Sequence, residues 1–329
     1  MEIMNPHPTV SVVMSVYNGE ALLEEAIGSI LDQEFSNFEF IIIDDASSDR
    51  SPEIIRSCSE KDDRIRVFTN QENLGLTRSL NRGLEMARGE FIARQDADDI
   101  SLSDRLKKQH ECLSKNPGLC LAASAASIID SQGNEIFPRP YSPDFKRIRS
   151  FLKRQNIIVH GSAFFRRTRI LELGGYREHF IYAQDYDLWL RIMERCRITI
   201  LPRRLYRIRI SLDNLSMKKS LLQEEYARIA RRFYHQRQKT GEDQYENFFE
   251  AFDPGEIETS GKQAEAKYHF LRAMYLLGED KIGPMRKELA HSLGRRPWNP
   301  SALFYYAASL SGLWGINILR RLRDIIYKF

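Results

Sequence analysis

The sequence is poor in features that mark secreted, zinc-binding or membrane-spanning proteins. Its four cysteines show no Cys-x-x-Cys or zinc-type spacing (Cys58, Cys112, Cys120 and Cys196). Cysteines with this distribution are typical of buried thiols in a reducing compartment. The N-terminus has no basic region before its short apolar stretch, so we see no secretory signal and expect a cytoplasmic protein.

Long hydrophobic runs are also scarce. Residues 301–319 include no charged residue, but three serines, one asparagine and two glycines make this segment a poor spanning helix. In the last residues an apolar face lies opposite a basic one (Ile318, Leu322, Ile325 and Phe329 against Arg320, Arg321, Arg323 and Lys328). This pattern predicts a basic amphipathic helix that either lies on an anionic membrane or docks on the protein itself.

The charge distribution narrows the possible partners. The net charge is only +4, but basic residues are crowded within residues 139–209 and at the C-terminus. Such regions suit diphosphate-bearing substrates, anionic lipid or nucleic acid, and they can also be solvated surface. The sequence has no helix-turn-helix, zinc or RNA-binding signature, so we expect no nucleic-acid partner.

What the sequence does contain is an alternation of strand and helix patterns. Apolar runs typical of buried strands occur at residues 10–16, 38–43, 65–68 and 91–94. Helical spacing separates these runs, and Ser51 followed by Pro52 is expected to cap the second helix. The sequence therefore predicts an α/β protein with a mostly parallel central sheet flanked by helices.

The pattern changes in the rest of the chain. We predict a hairpin from residues 127–130 and 135–137, a strand at 160–166 and a helix at 185–194. Strand signals then fade, and helices are predicted at 221–238, 261–277, 284–293 and 302–329. A boundary near residues 210–220 would divide an α/β domain, residues 1–215, from a helical region, residues 216–329.

Acidic residues follow two of the predicted strands, where ligands bind in parallel sheets. Asp44 and Asp45 follow the second strand, where a carboxylate can bind a nucleotide or cap the next helix. Asp96, Asp98 and Asp99 follow the fourth strand, where their oxygens suit Mg²⁺ or Mn²⁺ or form a helix-capping turn. We favour a metal because three neighbouring carboxylates repel one another without a cation.

Two further candidates lie beyond residue 150. Asp185 begins a predicted helix, where it is either a partner of the helix dipole or a general base for an attacking hydroxyl. His160 and Gly161 either shape a substrate pocket or are structural residues.

Five segments, taken in order, resemble the inverting family-two glycosyltransferases of the GT-A fold, of the bacterial surface-glycan type. They lie between residues 9 and about 210 and read VSVVMSVYNGE, IIIDDASSD, NLGLTRSLNRGLEMARGEFIARQDADD, HGSAFFRR and QDYDLWLR. The resemblance implies a Rossmann-like GT-A catalytic domain with a C-terminal all-α region. It also implies a metal-dependent transfer of sugar from a nucleotide-sugar donor, with inversion at the anomeric carbon.

The resemblance assigns roles to residues by their position. It implies that Ser15, Tyr17 and Asp45 contact the nucleotide, and that Arg78 contacts a phosphate or the base. UDP is the expected nucleotide, with GDP and dTDP left open.

The remaining implied roles concern the reacting groups. Asp96 and Asp98 would form a DxD element, in which Asp98 is the main ligand of Mg²⁺ or Mn²⁺ and Asp96 also contacts the donor. Asp185 would be the general base. His160 and Gly161, which the resemblance does not assign, are our candidates for the acceptor side of the pocket.

Two departures from the family pattern qualify this assignment. Gln184 stands where many members have Glu, which changes the residue beside the base but not the base itself. No Q-x-x-R-W segment is present, so addition of one sugar is expected rather than polymerisation.

The expected acceptor is a glycan or a lipid-linked glycan, reached from the cytoplasmic face of a membrane by a peripherally bound enzyme. The alternative is a non-catalytic nucleotide-sugar sensor or scaffold. Retention of the four aspartates at the predicted site argues against that alternative (Asp45, Asp96, Asp98 and Asp185).

Overall fold

Four parallel strands form one end of the sheet, and helices connect them. The computed structural model describes residues 7–139, 144–210, 217–252, 262–278, 280–312 and 314–319. The first elements are β1 (Val10–Val16), α1 (Leu23–Leu31), β2 (Phe38–Asp44), α2 (Ser51–Ser59), β3 (Ile65–Thr69), α3 (Leu76–Met86) and β4 (Phe91–Gln95). Strand β1 pairs in parallel with β2 and β4, and β2 pairs in parallel with β3. The predicted alternation of strand and helix is confirmed.

The core lies along these strands. All residues of β2 and β4 are buried, and β1 is buried except at Ser15. Helices cover strands of this kind on both faces, which is why their sequences are nearly continuous apolar runs. Helix α3 approaches β1 closely at Gly83, where a Cβ atom would lie 2.4 Å from Cγ1 of Val13.

The second half of the sheet is reached through antiparallel pairs. Its elements are β5 (Ile100–Ser101), α4 (Arg105–Lys115), β6 (Leu119–Ile129), β7 (Glu135–Arg139), α5 (Phe145–Leu152), β8 (Phe164–Arg166), α6 (Arg167–Glu172), α7 (Gln184–Arg195) and β9 (Arg197–Arg209). The strand order is β3-β2-β1-β4-β8-β6-β9-β5, with β7 beside β6 as the predicted hairpin requires. Strand β8 is antiparallel to β4 and β6, and β5 is antiparallel to β9. The predicted α/β class is confirmed.

Helices make up the rest of the described chain. They are α8 (Met217–Thr240), α9 (Tyr245–Glu250), α10 (Lys262–Gly278), α11 (Ile282–Arg295) and α12 (Pro300–Leu310). The prediction of one helix over residues 302–329 is wrong, because α12 ends at Leu310 and Gly312 has a left-handed φ of 66°. Most of the predicted basic amphipathic segment, residues 320–329, lies outside the described residues. In the described part, no helix combines the length and apolar character needed to cross a membrane.

The chain divides into two compact units. The first comprises Met1–Ala126, Pro140–Ile208 and Ala227–Glu246, and it contains the parallel strands. The second comprises Ser127–Arg139, Arg209–Tyr226 and Asn247–Phe329, and it contains α10, α11 and α12.

The expectation of four thiols is wrong for two cysteines. Cys120, near the start of β6, and Cys196, directly before β9, form a disulfide with Cα atoms 6.0 Å apart. Cys58 and Cys112 are free. Sequence spacing could not predict this bond, because 76 residues separate the two cysteines and adjacent strands bring them together.

Two local predictions also need correction. Ser51 is the first residue of α2 rather than its N-cap, and its Oγ accepts a hydrogen bond from the Gly19 amide at 2.9 Å. The predicted strand at residues 160–166 begins instead with a 3₁₀ turn, His160–Ser162, before β8. The Ser162 hydroxyl donates to the Val159 carbonyl at 3.0 Å and so closes that turn.

Candidate active site

The carboxyl ends of three parallel strands meet at one edge of the sheet. Val16 of β1 is in register with Asp44 of β2, and Met14 of β1 is in register with Gln95 of β4. One residue further along, Tyr17 therefore lies level with Asp45. On the other side of β1, Ser15 of β1 lies level with Asp96, the residue that follows β4. This edge collects the residues predicted for the nucleotide and for the metal.

Hydrogen bonds join the loop after β1 to the loop after β2. The amide of Asn18 donates to the Ser47 hydroxyl at 3.1 Å, and the amide of Ser48 donates to the Asn18 side-chain oxygen at 2.8 Å. Asn18 has a left-handed φ of 50°, which turns the chain sharply after Tyr17. The Tyr17 side chain is 53% exposed, so its ring is open to a ligand.

The Asp45 carboxylate is buried and holds the loop that leads into α3. Its Oδ1 accepts from Asn70 Nδ2 at 2.6 Å and from the Leu74 amide at 2.9 Å, and its Oδ2 accepts from the Gly75 amide at 2.9 Å. A carboxylate has about four acceptor positions, so one remains beyond these three bonds. The structure thus gives Asp45 a loop-holding role, and its nucleotide contact stays a prediction.

The turn after β4 carries the predicted DxD acids. Asp96 Oδ1 accepts from Nη2 of Arg94 at 2.6 Å, and the side chain of Arg94 is only 2% exposed. Gln95 Nε2 donates to the carbonyls of Asp96 and Asp99 at 3.0 and 2.9 Å, which fixes the shape of the turn. Asp98 is partly exposed on this turn.

The charge argument for a metal is weaker than the sequence suggested. Arg94 is paired with Asp96, and a second arginine, Arg105, is fully buried nearby. Burial lowers the pKa of Arg105 to about 10, whereas the neighbouring Tyr206, Asp96 and Asp99 oppose that shift. The protein itself therefore supplies cations beside the acids.

Gly161 lies against this turn. A Cβ atom at Gly161 would lie 2.5 Å from Oδ2 of Asp96 and 1.9 Å from Oη of Tyr206, so no larger residue fits. Oη of Tyr206 accepts a hydrogen bond from the Asp96 amide at 3.1 Å. The predicted pocket residue and the predicted metal turn are thus in contact.

His160 is paired with a tyrosine at the site. Its Nε2 lies 2.9 Å from Oη of Tyr176. Burial lowers the pKa of His160 to about 4, and the Arg94 guanidinium shifts it further down, whereas the Asp185 and Asp96 carboxylates oppose the shift. Burial also raises the pKa of Tyr176. The pair is therefore neutral near pH 7 and lies within electrostatic reach of both carboxylates.

Asp185 is partly buried in the first turn of α7. Its Oδ1 accepts from the Tyr186 amide at 2.8 Å, which is the helix-terminus role that the sequence left open. Its Oδ2 accepts from Asn156 Nδ2 at 2.7 Å, and this bond orients the carboxylate. Asp187, two residues later, is fully buried and pairs with Arg191 at 2.8 Å. Asp185 is therefore the accessible acid of this segment.

Arg78 lies on α3, away from these contacts. Its Nε donates to Oε2 of Glu178 at 3.0 Å, and both side chains are about half exposed, at 54% and 51%.

No group of three or more His, Cys, Asp or Glu side chains that could hold a metal ion converges among the residues described here.

Comparison with known proteins decides the family. The model of glycosyl transferase family 2 matches residues 11–174. The amylovoran biosynthesis glycosyltransferase AmsE of Erwinia amylovora is 30% identical over 213 residues, which cover 64% of this chain and 79% of AmsE. The chain belongs to glycosyltransferase family 2. An uncharacterized glycosyltransferase of Methanocaldococcus jannaschii is 40% identical over 189 residues, 56% of this chain but only 64% of that protein.

Solved structures confirm the GT-A-like fold of this family-two glycosyltransferase. A mannosyltransferase of Pyrobaculum calidifontis, in complex with GDP-Man and Mn²⁺, gives a TM-score of 0.55 at 18% identity, covering 98% of this chain and 86% of that chain. S. aureus TarS 1-349 in complex with UDP gives a TM-score of 0.53 at 16% identity, covering 92% of this chain and 90% of that chain.

The structure adds site residues that the sequence analysis missed. They are polar side chains that hold the predicted residues in place, namely Asn70, Arg94, Asn156, Tyr176 and Tyr206. Asn70, Arg94 and Tyr206 are buried, and an arginine inside an apolar strand was the one signal that could have been read.

Proposed function

We propose that this family-two glycosyltransferase transfers a single sugar from a nucleotide-sugar donor to a glycan or lipid-linked glycan, with inversion at the anomeric carbon. The observation that carries the proposal is the convergence of the predicted residues at one edge of the sheet, where Gly161 lies against the turn of Asp96, and Asp185 is the accessible acid at the start of α7. A Cβ atom at Gly161 would lie 2.5 Å from Oδ2 of Asp96, and Asn156 orients the Asp185 carboxylate at 2.7 Å. A donor bound at the sheet edge would then have a base within reach of an attacking hydroxyl.

The nucleotide would bind at the ends of β1 and β2. Tyr17 offers an exposed ring for stacking, and Ser15 and Asp45 offer oxygens for the base and the ribose. Arg78 would reach a phosphate or the base only after its exposed pair with Glu178 opens, and such a pair is worth at most about 1 kcal/mol. UDP is the proposed nucleotide, as in the TarS complex, and GDP and dTDP remain alternatives.

A divalent cation, Mg²⁺ or Mn²⁺, fits the donor set of the turn after β4. Mg²⁺ commonly takes one or two carboxylates and completes its shell with phosphates and water. Arg94 pairs with Asp96, and Asp98 would be the main ligand, as the family resemblance implies. Bound there, the cation would stabilise the negative charge of the departing diphosphate. The Mn²⁺ of the Pyrobaculum complex supports this proposal.

Asp185 would act as the general base. Its carboxylate takes the proton of the acceptor hydroxyl while that oxygen attacks the anomeric carbon and the bond to the diphosphate breaks. Attack from the face opposite the leaving group inverts the configuration. Asn156 holds Asp185 Oδ2 at 2.7 Å and thereby aims the base. His160 and Gly161 would line the acceptor side.

The acceptor belongs, in this proposal, to the assembly of a surface polysaccharide. The relative AmsE is named for amylovoran biosynthesis, which supports that class of product. The catalytic domain would be residues 1–215, and the helical region, residues 216–329, would bring it to the cytoplasmic face of the membrane. The basic residues near the C-terminus support contact with anionic lipid.

Donor binding and hydrolysis test the proposal. We would measure both with UDP-, GDP- and dTDP-sugars and Mn²⁺ or Mg²⁺, for the native protein, Asp98→Ala and Asp185→Asn. We expect slow, metal-dependent hydrolysis of one donor. Asp98→Ala should abolish metal-dependent donor binding, whereas Asp185→Asn should bind the donor normally and lose about 10²- to 10⁴-fold in turnover.

Asp63→Asn is the matched control because it neutralises an exposed aspartate outside the site, and it should behave like the native protein. Donor binding without turnover, even with candidate acceptors, would favour a nucleotide-sugar sensor over an enzyme. Failure to bind any nucleotide sugar would remove the proposed function altogether.

A further inference from the structure

Helix α12 exposes its large apolar side chains and buries small or polar ones. Leu303, Phe304 and Leu310 are 41%, 49% and 58% exposed, whereas Ala302 and Ser309 are fully buried. A helix that only packs on its own protein has the opposite arrangement. The outward face of α12, defined by Leu303, Phe304 and Leu310, is therefore an apolar surface open to solvent.

Contacts on the inner side fix this orientation. Arg286 of α11 donates from Nη2 to the Ser309 carbonyl and from Nε to the Ser309 hydroxyl at 3.3 Å. Tyr305 lies against Phe270 of α10, with ring centroids 6.1 Å apart. These contacts hold one side of α12 against α10 and α11, so the side that carries Leu303, Phe304 and Leu310 faces away from them.

Two exposed tryptophans flank α12 in the sequence. Trp298 lies before α12 and is 88% exposed, and Trp314 lies after it and is 72% exposed. Trp189, the third tryptophan of the chain, is fully buried. Indole rings that combine apolar area with an N–H donor concentrate at the boundary between lipid and water. Exposure of both rings is costly in water but favourable at that boundary.

The chain around α12 is basic. Residues 289–323 contain no aspartate or glutamate, and the exposed Arg296 lies two residues before Trp298. The neighbouring Arg295 is paired with Glu265 of α10. A symmetric contact between two copies through this face would bring like-charged segments together, which costs free energy. Anionic lipid headgroups would instead be attracted.

We propose that the outward face of α12, together with Trp298 and Trp314, binds the surface of an anionic bilayer. The helix has 11 residues, about 16 Å, and would lie in the plane of the headgroups because that length cannot cross a hydrocarbon core of about 30 Å. These residues precede the predicted segment at residues 318–329 in the chain, and the proposal does not depend on the transfer reaction.

Tryptophan fluorescence of the full chain tests the contact residue by residue. The probe is vesicles of equal parts phosphatidylglycerol and phosphatidylcholine, with or without bromine on the acyl chains. We expect brominated lipid to quench the fluorescence of both single variants. Trp298→Phe would be quenched through Trp314, and Trp314→Phe through Trp298. The double variant, which retains only buried Trp189, should not be quenched. Contact through the C-terminal segment alone would leave all variants unquenched and would overturn the proposal.

Vesicle sedimentation tests the apolar face itself. Leu303→Ser/Phe304→Ser should lower partitioning onto the anionic vesicles by at least about tenfold, since two large side chains lose their burial in lipid. The matched control is Phe151→Ser/Leu171→Ser in the other unit, whose side chains are 43% and 40% exposed. Melting curves of both variants establish that they fold.

Two outcomes would contradict the proposal. One is equal partitioning of the native protein and Leu303→Ser/Phe304→Ser. The other is a concentration-dependent dimer that Leu303→Ser/Phe304→Ser dissociates, which would make a second copy of the chain the occupant of this face. Pure phosphatidylcholine vesicles should bind at least about fivefold more weakly, because the exposed Arg296 contributes roughly 1 kcal/mol at an anionic surface.

Discussion

At the scale of single residues, His160 shows how the site controls charge. A neutral imidazole lies where one arginine and two carboxylates act on it, and burial keeps its pKa at about 4 instead of the ordinary 6.5. The neighbouring Tyr176 also stays protonated because burial raises its pKa. The two rings can therefore form a hydrogen bond without adding a charge between Asp96 and Asp185.

This arrangement predicts a pH dependence of stability. Between pH 6.5 and 4 the unfolded chain protonates His160 and the folded protein does not, so the free energy of unfolding falls as the pH is lowered through that window. His160→Gln should remove roughly 2–3 kcal/mol of that fall. Urea unfolding at several pH values in this range measures it.

His179→Gln is the matched control because it removes an exposed imidazole. If His160→Gln retains the full loss of stability on acidification, His160 is already protonated near pH 6 in the folded protein. That result would also contradict a neutral His160–Tyr176 pair in the site.

The residues that carry charge at the site were predictable, but those that position them were not. Asp96 follows a recognisable strand pattern and Asp185 begins a recognisable helix pattern, and the register of β1 with β2 and β4 follows from parallel pairing. The partners of these acids come from distant segments. The Asp96 amide bonds to Tyr206, 110 residues away, and Asp185 bonds to Asn156, 29 residues away. Hydrophobic periodicity has no information on such pairs.

At the scale of elements, α3 links the sheet edge that is proposed to bind the nucleotide to the loop before Asp185. The segment that enters α3 donates to Asp45 through the Leu74 and Gly75 amides. At the second residue of the helix, the Thr77 hydroxyl donates to the Phe180 carbonyl at 2.7 Å. Asn81 then bonds to both backbone groups of Tyr176, at 2.8 and 2.9 Å. A rigid helix thus holds both sides of the site.

We expect Asn81→Ala to impair turnover more than donor binding. The change removes two hydrogen bonds, worth about 1 kcal/mol each, and frees the backbone of Tyr176 to move. A shift of about 1 Å in positioning groups can cost a hundredfold in rate, so at least a tenfold loss of turnover is expected, with donor affinity within about twofold. Steady-state kinetics and direct donor titration separate the two effects.

Glu85→Ala, an exposed change one turn further along α3, is the control for a general effect on the helix. Equal losses of donor affinity and turnover in Asn81→Ala would show that α3 acts only by holding the sheet edge that is proposed to bind the nucleotide.

Helix α3 was predictable because Leu80 and Leu84 lie on one face. The 3₁₀ turn at His160–Ser162 was not predictable, and the sequence analysis included it in the strand predicted at residues 160–166. Short turns leave no periodicity to detect.

At the scale of the whole molecule, the disulfide changes the expectation for stability. Cys120 and Cys196 tie the beginnings of β6 and β9 across 76 residues of chain, which include His160, Tyr176 and Asp185. Closing a loop of this length restricts the unfolded chain and stabilises the folded protein by about 2–4 kcal/mol. The composition of the chain gave no reason to expect such a bond, since nothing in the spacing of its cysteines pairs them.

Cys120→Ser/Cys196→Ser should therefore melt about 5–15 °C below the native protein, and a reductant should lower the native melting temperature by a similar amount without changing the variant. Thiol titration of the unsubstituted protein under denaturing conditions should find two thiols before reduction, from Cys58 and Cys112, and four thiols after reduction. Cys58→Ser/Cys112→Ser is the control and should keep its sensitivity to reductant. Native protein purified without reductant could instead show four reactive thiols and a melting temperature that reductant does not change. That result would show that β6 and β9 are held by strand pairing alone. In that case the sequence-based expectation of a reduced protein would stand.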